Sequence, residues 1–176
     1  MAIKAVIFDF DGTIADTHQA IIAITNRLAA EFGYTPVDSQ RLTQLKNLSS
    51  REIVKQAELP LIKLFFLLRR VQKELAREII YLKPIPGMPD TLKILREAGY
   101  KLGIITSNSQ ENVVRFLEIN QLYSLFEFIY FRATLFGKHR VLRDCLKQQR
   151  LHSQEAVYIG DETRDIEAAK RCCVRA

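Results

Sequence analysis

The chain has 176 residues, 48% of them hydrophobic and 26% charged, so its length and composition predict a soluble globular protein of one domain or a core with a small insertion. The formal net charge of +6 comes from scattered lysines and arginines without interleaved aromatic residues, which argues against a nucleic-acid partner. The longest uncharged apolar run, Leu64–Leu68, is far too short to cross a bilayer, so we also expect no membrane association.

The three cysteines, Cys145, Cys172 and Cys173, do not have the spacing of a zinc site or a disulfide framework. The opening sequence MAIKAVIFDF lacks the long apolar run and the cleavage site of a signal peptide. We therefore expect a protein of the reducing cytoplasm.

The first predicted element is a strand, Ile3–Phe8, whose apolar run without strict alternation suits a sheet covered on both faces. It ends in Asp9-Phe10-Asp11-Gly12-Thr13. Asp9 and Asp11 are two residues apart, which places both carboxylates on one side of the chain at the carboxyl end of the strand. Ligands bind at that end of parallel strands, so the pair predicts a site that holds a cation or a proton between the carboxylates.

The segment from Asp16 to Lys83 contains no convincing strand. Its patterns predict four helices, Thr17–Phe32, Ser39–Leu45, Ser50–Ala57 and Leu61–Tyr81. The sequence Pro84-Ile85-Pro86-Gly87 then marks a hinge-like return to another pattern. We expect residues 16–83 to form a small all-helical domain inserted into an α/β core of residues 1–15 and 84–176.

Strands and helices alternate through the rest of the chain. The predicted strands are Leu102–Thr106, Phe126–Phe131 and Ala156–Ile159. The predicted helices are Met88–Ala98, one that begins near Asn108 with Glu111 at the spacing of a capping box, Lys138–Gln149 and Thr163–Cys172. This alternation predicts an α/β fold with a doubly wound parallel sheet.

Polar groups follow each of the later strands. Thr106 and Ser107 precede a helix, and Lys138 opens the next one, where each could contact an anionic oxygen. Asp161 and Asp165 are four residues apart, so both can face one side of a starting helix and offer the oxygen ligands that magnesium prefers. Each group alone has an ordinary explanation as a helix cap or surface charge, but four in succession at four strand ends predict one site.

The segments DFDGTIADT, IITSN, GK and GDETRD resemble, in this order, the four signature motifs of the haloacid dehalogenase superfamily. The helical insertion resembles the family's cap, and the likeness covers nearly the whole chain. Within the family, the chain is most similar to phosphoglycolate-phosphatase-like members. The resemblance implies a phosphatase that acts on a small phosphorylated metabolite and uses Mg²⁺.

The resemblance also implies roles for individual residues. Asp9 would be the nucleophile that becomes an aspartyl phosphate, and Asp11 the acid and base. Phosphoryl oxygens would be bound by Thr106, Ser107 and Lys138. Magnesium would be held by Asp9, the main-chain carbonyl of Asp11, and Asp161, with Asp165 in support. Arg51, near the start of a cap helix, is a candidate for contacting a substrate anion, although a surface role is the simpler interpretation.

Other functions stay open at this point. A phosphosugar mutase of the same superfamily would use the same groups. A phosphoacceptor receiver domain also uses aspartates, a threonine, a lysine and magnesium, but it distributes its acids over different strands and lacks a helical insertion. A capped fold could also bind a ligand without turnover. Neither the substrate nor the oligomeric state can be read from the sequence.

The end of the chain departs from the family's usual pattern. Related proteins usually continue past the fourth motif with another strand and helix, whereas this sequence ends at Ala176, and CCVRA stands where the family usually has a small residue and glycine. We therefore expect the fourth strand to lie at an edge of the sheet, where unwanted pairing is a risk.

Overall fold

The computed structural model describes residues 2–36, 38, 40–41, 44, 59–131 and 137–176. These residues form one four-stranded parallel sheet with the strand order β3-β2-β1-β4. The strands are β1 (Ala5–Phe8), β2 (Lys101–Ile105), β3 (Phe128–Tyr130) and β4 (Ala156–Ile159). All four predicted strands are confirmed, with small shifts of their ends.

Six α-helices are found in the same residues: α1 (His18–Phe32), α2 (Leu61–Glu78), α3 (Met88–Glu97), α4 (Gln110–Ile119), α5 (Lys138–Gln148) and α6 (Thr163–Arg171). Two of the helices predicted for the insertion, Ser39–Leu45 and Ser50–Ala57, lie mostly outside the described residues, and Arg51 lies outside them too. Of the helices within those ranges, none combines the length and the apolar character needed to cross a membrane.

Helices cover both faces of the sheet. Val6 and Phe8 of β1 pack into an apolar cluster that includes α3 and α4, whereas Ile7, between them, packs with α5 and α6. Burial on both faces explains why the strands appear in the sequence as continuous apolar runs. The predicted doubly wound arrangement is confirmed. The strand order reverses at β1, because β2 lies on one side of it and β4 on the other.

Helices α1 and α2, which lie between β1 and β2 in the chain, pack against each other and against the rest of the apolar cluster. Leu67, Val71 and Leu75 of α2 belong to the same apolar cluster as Phe116 of α4. The two connections between insertion and core run side by side, since Asp16 N–H donates to the carbonyl of Lys83 at 2.9 Å and Ala15 forms an antiparallel bridge with Pro84. The two ends of the segment that carries α1 and α2 therefore lie side by side, and we call this backbone junction the neck.

Strand β4 is the outer strand of the described sheet, as the sequence predicts. Its outer edge is partly paired. The Tyr158 N–H donates to the carbonyl of Arg175 at 2.8 Å, and Val157 and Arg175 form an isolated parallel bridge. Val174, next to this bridge, is buried. Residues that follow α6 thus cover part of the edge that was expected to be open.

Candidate active site

The sheet brings the carboxyl ends of its strands to one place. Phe8 of β1 is in register with Ile104 of β2 and with Ile159 of β4. The Asp9 N–H donates to the carbonyl of Ile159 at 2.8 Å, which joins the first motif to the end of β4. Side chains that follow these strands therefore meet at the point where the strand order reverses, a usual place for ligands in open α/β sheets.

Lys138, at the start of α5, joins two carboxylates at the centre of this site. Its Nζ lies 3.0 Å from Asp9 Oδ2 and 2.5 Å from Asp165 Oδ1. Asp9 is 6% exposed and Asp165 is 1% exposed, so water screens these charges little. The Tyr158 ring centroid lies 5.9 Å from the ammonium nitrogen. The ammonium is thus held where it can neutralise negative charge beside Asp9.

Burial and charge together set the protonation of this pair. Burial raises the pKa of Asp9 to about 7, although Lys138 opposes the rise, and repulsion by Asp165 and Asp11 adds to it. For Lys138, burial alone would lower the pKa, but the attraction of Asp9, supported by Asp165, outweighs it and the net shift is upward. The ammonium therefore stays charged, and Asp9 is the member of the pair that titrates near neutral pH.

Asp11 has a different partner. The Asn108 side-chain amide lies with Nδ2 3.0 Å and 3.1 Å from the two carboxylate oxygens of Asp11. Burial raises the pKa of Asp11 to about 6, and the hydrogen bond from Asn108 offsets part of the rise. One carboxylate of the first motif thus faces a cation and the other a neutral amide. Carboxylates in such different environments can take different roles in acid–base chemistry.

The role of Asn108 differs from the sequence-based expectation. Its spacing from Glu111 predicts a capping box, but the N-cap of α4 is Ser109, whose side chain accepts from the Asn112 N–H at 3.3 Å. Asn108 is 3% exposed and faces Asp11 instead. A signal was present in the sequence, because Ser107, Asn108 and Ser109 are three adjacent polar residues and one helix needs a single N-cap.

Thr106 and Ser107, the adjacent hydroxyl residues of the second motif, differ in burial and in their partners. Thr106 is fully buried, and its Oγ1 accepts from the Asn108 N–H at 2.9 Å, which leaves the hydroxyl proton available to a ligand. Ser107 is exposed, and its carbonyl accepts from Nε2 of Gln72 in α2 at 2.6 Å. Thr106 is therefore part of the cluster at the strand ends, whereas Ser107 contacts the inserted segment through its backbone.

Three carboxylates of the site could hold a metal ion. Asp9, Asp161 and Asp165 offer oxygens that all lie within 4.8 Å of one another. The ammonium of Lys138 contacts two of these carboxylates, Asp9 and Asp165, and Asp11 is a further carboxylate nearby. Repulsion among these acids is what a divalent cation would offset. Hard oxygen ligands are those that magnesium prefers, so the residues fit this ion.

Two glycines lie so close to carboxylates of the site that a side chain would not fit in their place. A Cβ added to Gly12 would lie 2.3 Å from Asp161 Oδ2, and one added to Gly160 would lie 2.2 Å from Asp165 Oδ2. Asp165 itself has a partner on each oxygen, because Oδ1 contacts Lys138 and Oδ2 accepts from the Glu162 N–H at 3.2 Å. This double engagement suits the supporting role expected for Asp165.

The structure therefore brings together six of the residues that the motifs indicate, namely Asp9, Asp11, Thr106, Lys138, Asp161 and Asp165. The sequence matches the family of haloacid dehalogenase-like hydrolases over residues 6–176, and the chain belongs to this family.

Two curated relatives are named as phosphatases. The chain is 39% identical over 168 residues to phosphoglycolate phosphatase of Synechococcus elongatus, a match that covers 96% of this chain and 79% of that protein. It is 29% identical over 187 residues to N-acetylmuramic acid 6-phosphate phosphatase of Pseudomonas aeruginosa, with 97% and 78% covered. With the family assignment, these matches identify the chain as a phosphatase.

The fold is also found in a solved structure. CbbY from Rhodobacter sphaeroides, in complex with phosphate, superposes with a TM-score of 0.74 at 21% identity, and the match covers 98% of this chain and 84% of that chain. Because the identity is low, this match supports the fold and does not indicate the substrate.

Proposed function

We propose that this phosphatase hydrolyses a small phosphate monoester of the phosphoglycolate type, with magnesium, through an aspartyl phosphate on Asp9. The observation that carries the proposal is the separate pairing of two carboxylates, Asp9 with Lys138 at 3.0 Å and Asp11 with Asn108 at 3.0 Å. A carboxylate beside an ammonium suits a nucleophile. A carboxyl group with a pKa of about 6 suits a group that gives and takes a proton.

The reaction would proceed in two steps. In the first, a carboxylate oxygen of Asp9 attacks phosphorus, the bond from phosphorus to the leaving oxygen breaks, and Asp11 gives its proton to that oxygen. In the second, water attacks the aspartyl phosphate, Asp11 takes a proton from this water, and the bond between phosphorus and Asp9 breaks to release phosphate. Thr106 and Lys138 would bind phosphoryl oxygens, and Lys138 would neutralise their charge.

Magnesium would be held by Asp9, the main-chain carbonyl of Asp11, and Asp161, while Asp165 supports the site through Lys138. The bound ion would supply positive charge that reduces repulsion between the nucleophile and the phosphoryl group. The fold holds Asp9, Asp11, Asp161, Asp165 and Lys138 in place before the substrate binds. These charged groups therefore need to move little during the reaction.

We also propose that residues 16–83 form a cap over a catalytic core of residues 1–15 and 84–176. The neck at Asp16 and Lys83 supports a unit that can close over the site and exclude water. The proposed substrate class is supported by the relatives, because the identity to phosphoglycolate phosphatase, 39%, is higher than the identity to N-acetylmuramic acid 6-phosphate phosphatase, 29%. Ser107 and Arg51 remain candidates for binding substrate oxygens.

The test is steady-state hydrolysis of phosphoglycolate, N-acetylmuramic acid 6-phosphate and p-nitrophenyl phosphate. We expect the highest kcat/KM for phosphoglycolate, loss of activity in excess chelator, and recovery with magnesium. Asp9→Asn removes the nucleophile and should abolish turnover. Asp11→Asn removes proton transfer and should lower turnover by roughly 10²–10⁴.

Asp90→Asn is the matched control, because Asp90 is an exposed carboxylate in the first turn of α3. It should hydrolyse each substrate at the wild-type rate. Full activity of the wild type in excess chelator, or of Asp11→Asn, would refute the corresponding part of the proposal. A long-lived acyl phosphate without turnover would instead indicate a phosphoacceptor protein.

A further inference from the structure

A chain of hydrogen bonds connects the inserted helix α2 with Asp11, and Asn112 is its middle member. Asn112 lies on α4 and is 1% exposed. Its Nδ2 donates to the backbone carbonyl of Gln72 in α2 at 3.0 Å and to Oδ1 of Asn108 at 3.0 Å. One amide group is thus shared between the inserted segment and the active site.

The orientation of the Asn108 amide decides what Asp11 faces. Asn108 Oδ1 accepts from the backbone N–H of Ser109 at 2.8 Å, and a backbone N–H can only donate, so the oxygen must lie on that side. Asn112 gives the same oxygen a second donor. Nδ2 is therefore left facing Asp11. A flipped amide would turn its carbonyl oxygen toward the carboxylate and would lose both donors.

We propose that Asn112 is a positioning residue, which keeps Asn108 donating to Asp11 and is itself held in place by the packing of α2 on the core. This inference rests on the proposed role of Asp11 as proton donor to the leaving group. Asn112 is too buried to exchange its partners for water, so the contact with Gln72 satisfies an amide N–H that would otherwise lack an acceptor. Gln72 strengthens the same packing, because its side chain also donates to the carbonyl of Ser107.

The consequence depends on the leaving group of the substrate. An alkyl oxygen, as in phosphoglycolate, needs a proton while its bond to phosphorus breaks, whereas p-nitrophenolate leaves without one. A misplaced Asp11 should therefore lower kcat/KM for the alkyl ester and leave kcat/KM for p-nitrophenyl phosphate unchanged. The second step, in which Asp11 acts as the base for both substrates, follows the formation of the aspartyl phosphate and affects kcat alone. Partial unfolding lowers kcat/KM for both substrates by the same factor. The ratio of the two kcat/KM values, measured on one sample, therefore reports the position of Asp11 alone.

The experiment compares Asn108→Ala, Asn112→Ala and the double variant on both substrates with magnesium. Loss of a hydrogen bond to a charged group should lower kcat/KM for phosphoglycolate about 10- to 100-fold in N108A, and loss of a neutral one about 3- to 10-fold in N112A. The double variant should lose no more than N108A, because Asn112 acts through Asn108. Values for p-nitrophenyl phosphate should stay within about twofold of the wild type, since its leaving group needs no proton.

Asn120→Ala is the matched control. Asn120 caps the same helix and donates to the carbonyl of Phe116 at 2.9 Å, so N120A removes one asparagine hydrogen bond at the far end of α4 and should leave the ratio unchanged. If N112A does not fold, Asn112→Leu fills most of the same space without a donor or a charge and should show the same selective loss.

Two results would overturn the inference: a wild-type ratio in the Asn112 variants, or a double variant whose loss is the product of the single losses. Failure of the wild type to hydrolyse either ester would count against the proposed function instead. If another alkyl phosphate is the better substrate, it takes the place of phosphoglycolate in the comparison.

Discussion

At the level of single residues, Gly12 leaves the space in which the active-site carboxylates come together. Gly12 turns the chain away from β1 with φ of +73°, a conformation that glycine adopts at little cost. Its α-carbon also faces Asp161 at a distance that leaves no room for a side chain. The first of these roles can be expected from the sequence, because a sharp turn must follow Asp11. The second depends on a carboxylate from the other end of the chain.

Gly12→Ala should therefore affect both stability and metal affinity. The positive φ alone costs a non-glycine residue about 1–2 kcal/mol. In addition, the new Cβ would displace Asp161, so we expect a higher magnesium concentration for half-maximal activity. Magnesium titration of phosphatase activity and chemical denaturation measure the two effects.

Gly33→Ala provides the control for this prediction. Gly33 follows α1 with φ of +77°, and nothing lies within 4 Å of an added Cβ. It should show the same backbone cost without any change in the magnesium titration. Identical titrations of the two variants would mean that Asp161 does not hold the metal.

At the level of elements, the inserted helices are joined to the core in two ways. The neck near Ala15 and Pro84 is a backbone connection, and the side of α2 that carries Val71 and Leu75 packs into the core cluster. The first feature would let the segment move as a unit, whereas the second ties it to α4 close to the active site. Proper packing of α2 thus contributes to both the core and the site.

Removal of the insertion should separate phosphate binding from substrate choice. Because Asp16 and Lys83 are hydrogen-bonded neighbours, a short glycine-serine linker can replace residues 17–82. We expect the shortened protein to bind inorganic phosphate but to lose its preference among phosphorylated metabolites. It should also associate more readily, since apolar residues of α4 such as Phe116 would face water.

Calorimetric phosphate binding and a substrate panel measure this outcome, with the intact chain as reference. Full selectivity in the shortened protein would place substrate recognition in the core. Loss of phosphate binding together with selectivity would mean that the core depends on the insertion for its own structure.

For the molecule as a whole, the buried carboxylates of the active site lower the free energy of unfolding at neutral pH when no metal is present. Burial raises the pKa of Asp11 from 3.8 to about 6, so the folded protein binds this proton more tightly than the unfolded chain does. The resulting contribution to stability is fully present below about pH 4 and is lost as the pH rises through about 6. Asp9, with its pKa raised to about 7, acts in the same direction.

Asp11→Asn should therefore make the metal-free protein less sensitive to pH. In excess chelator, the free energy of unfolding of both proteins should decrease from pH 5 to pH 8. The decrease should be smaller in the variant than in the wild type, by on the order of 1 kcal/mol. Denaturant titrations across this range measure it, and Asp90→Asn serves again as the control. Parallel pH profiles of wild type and Asp11→Asn would show that burial does not perturb Asp11.

The amino-acid sequence by itself determined the α/β alternation and the order of the motifs. These features are local or periodic. A strand buried on both faces needs a continuous apolar run, as in Ala5–Phe8, and two carboxylates on one side of a strand end need a spacing of two, as in Asp9 and Asp11.

Tertiary structure alone decided which polar groups became partners. Asn108 could have capped α4, but its amide meets Asp11, which is 97 residues away in the chain, and Lys138 meets Asp165, 27 residues away. The edge of β4 is likewise paired by Arg175, which no sequence pattern marks as a strand. A polar side chain has several acceptable partners of similar energy, and the choice among them depends on which groups the completed sheet and helices bring within about 3 Å.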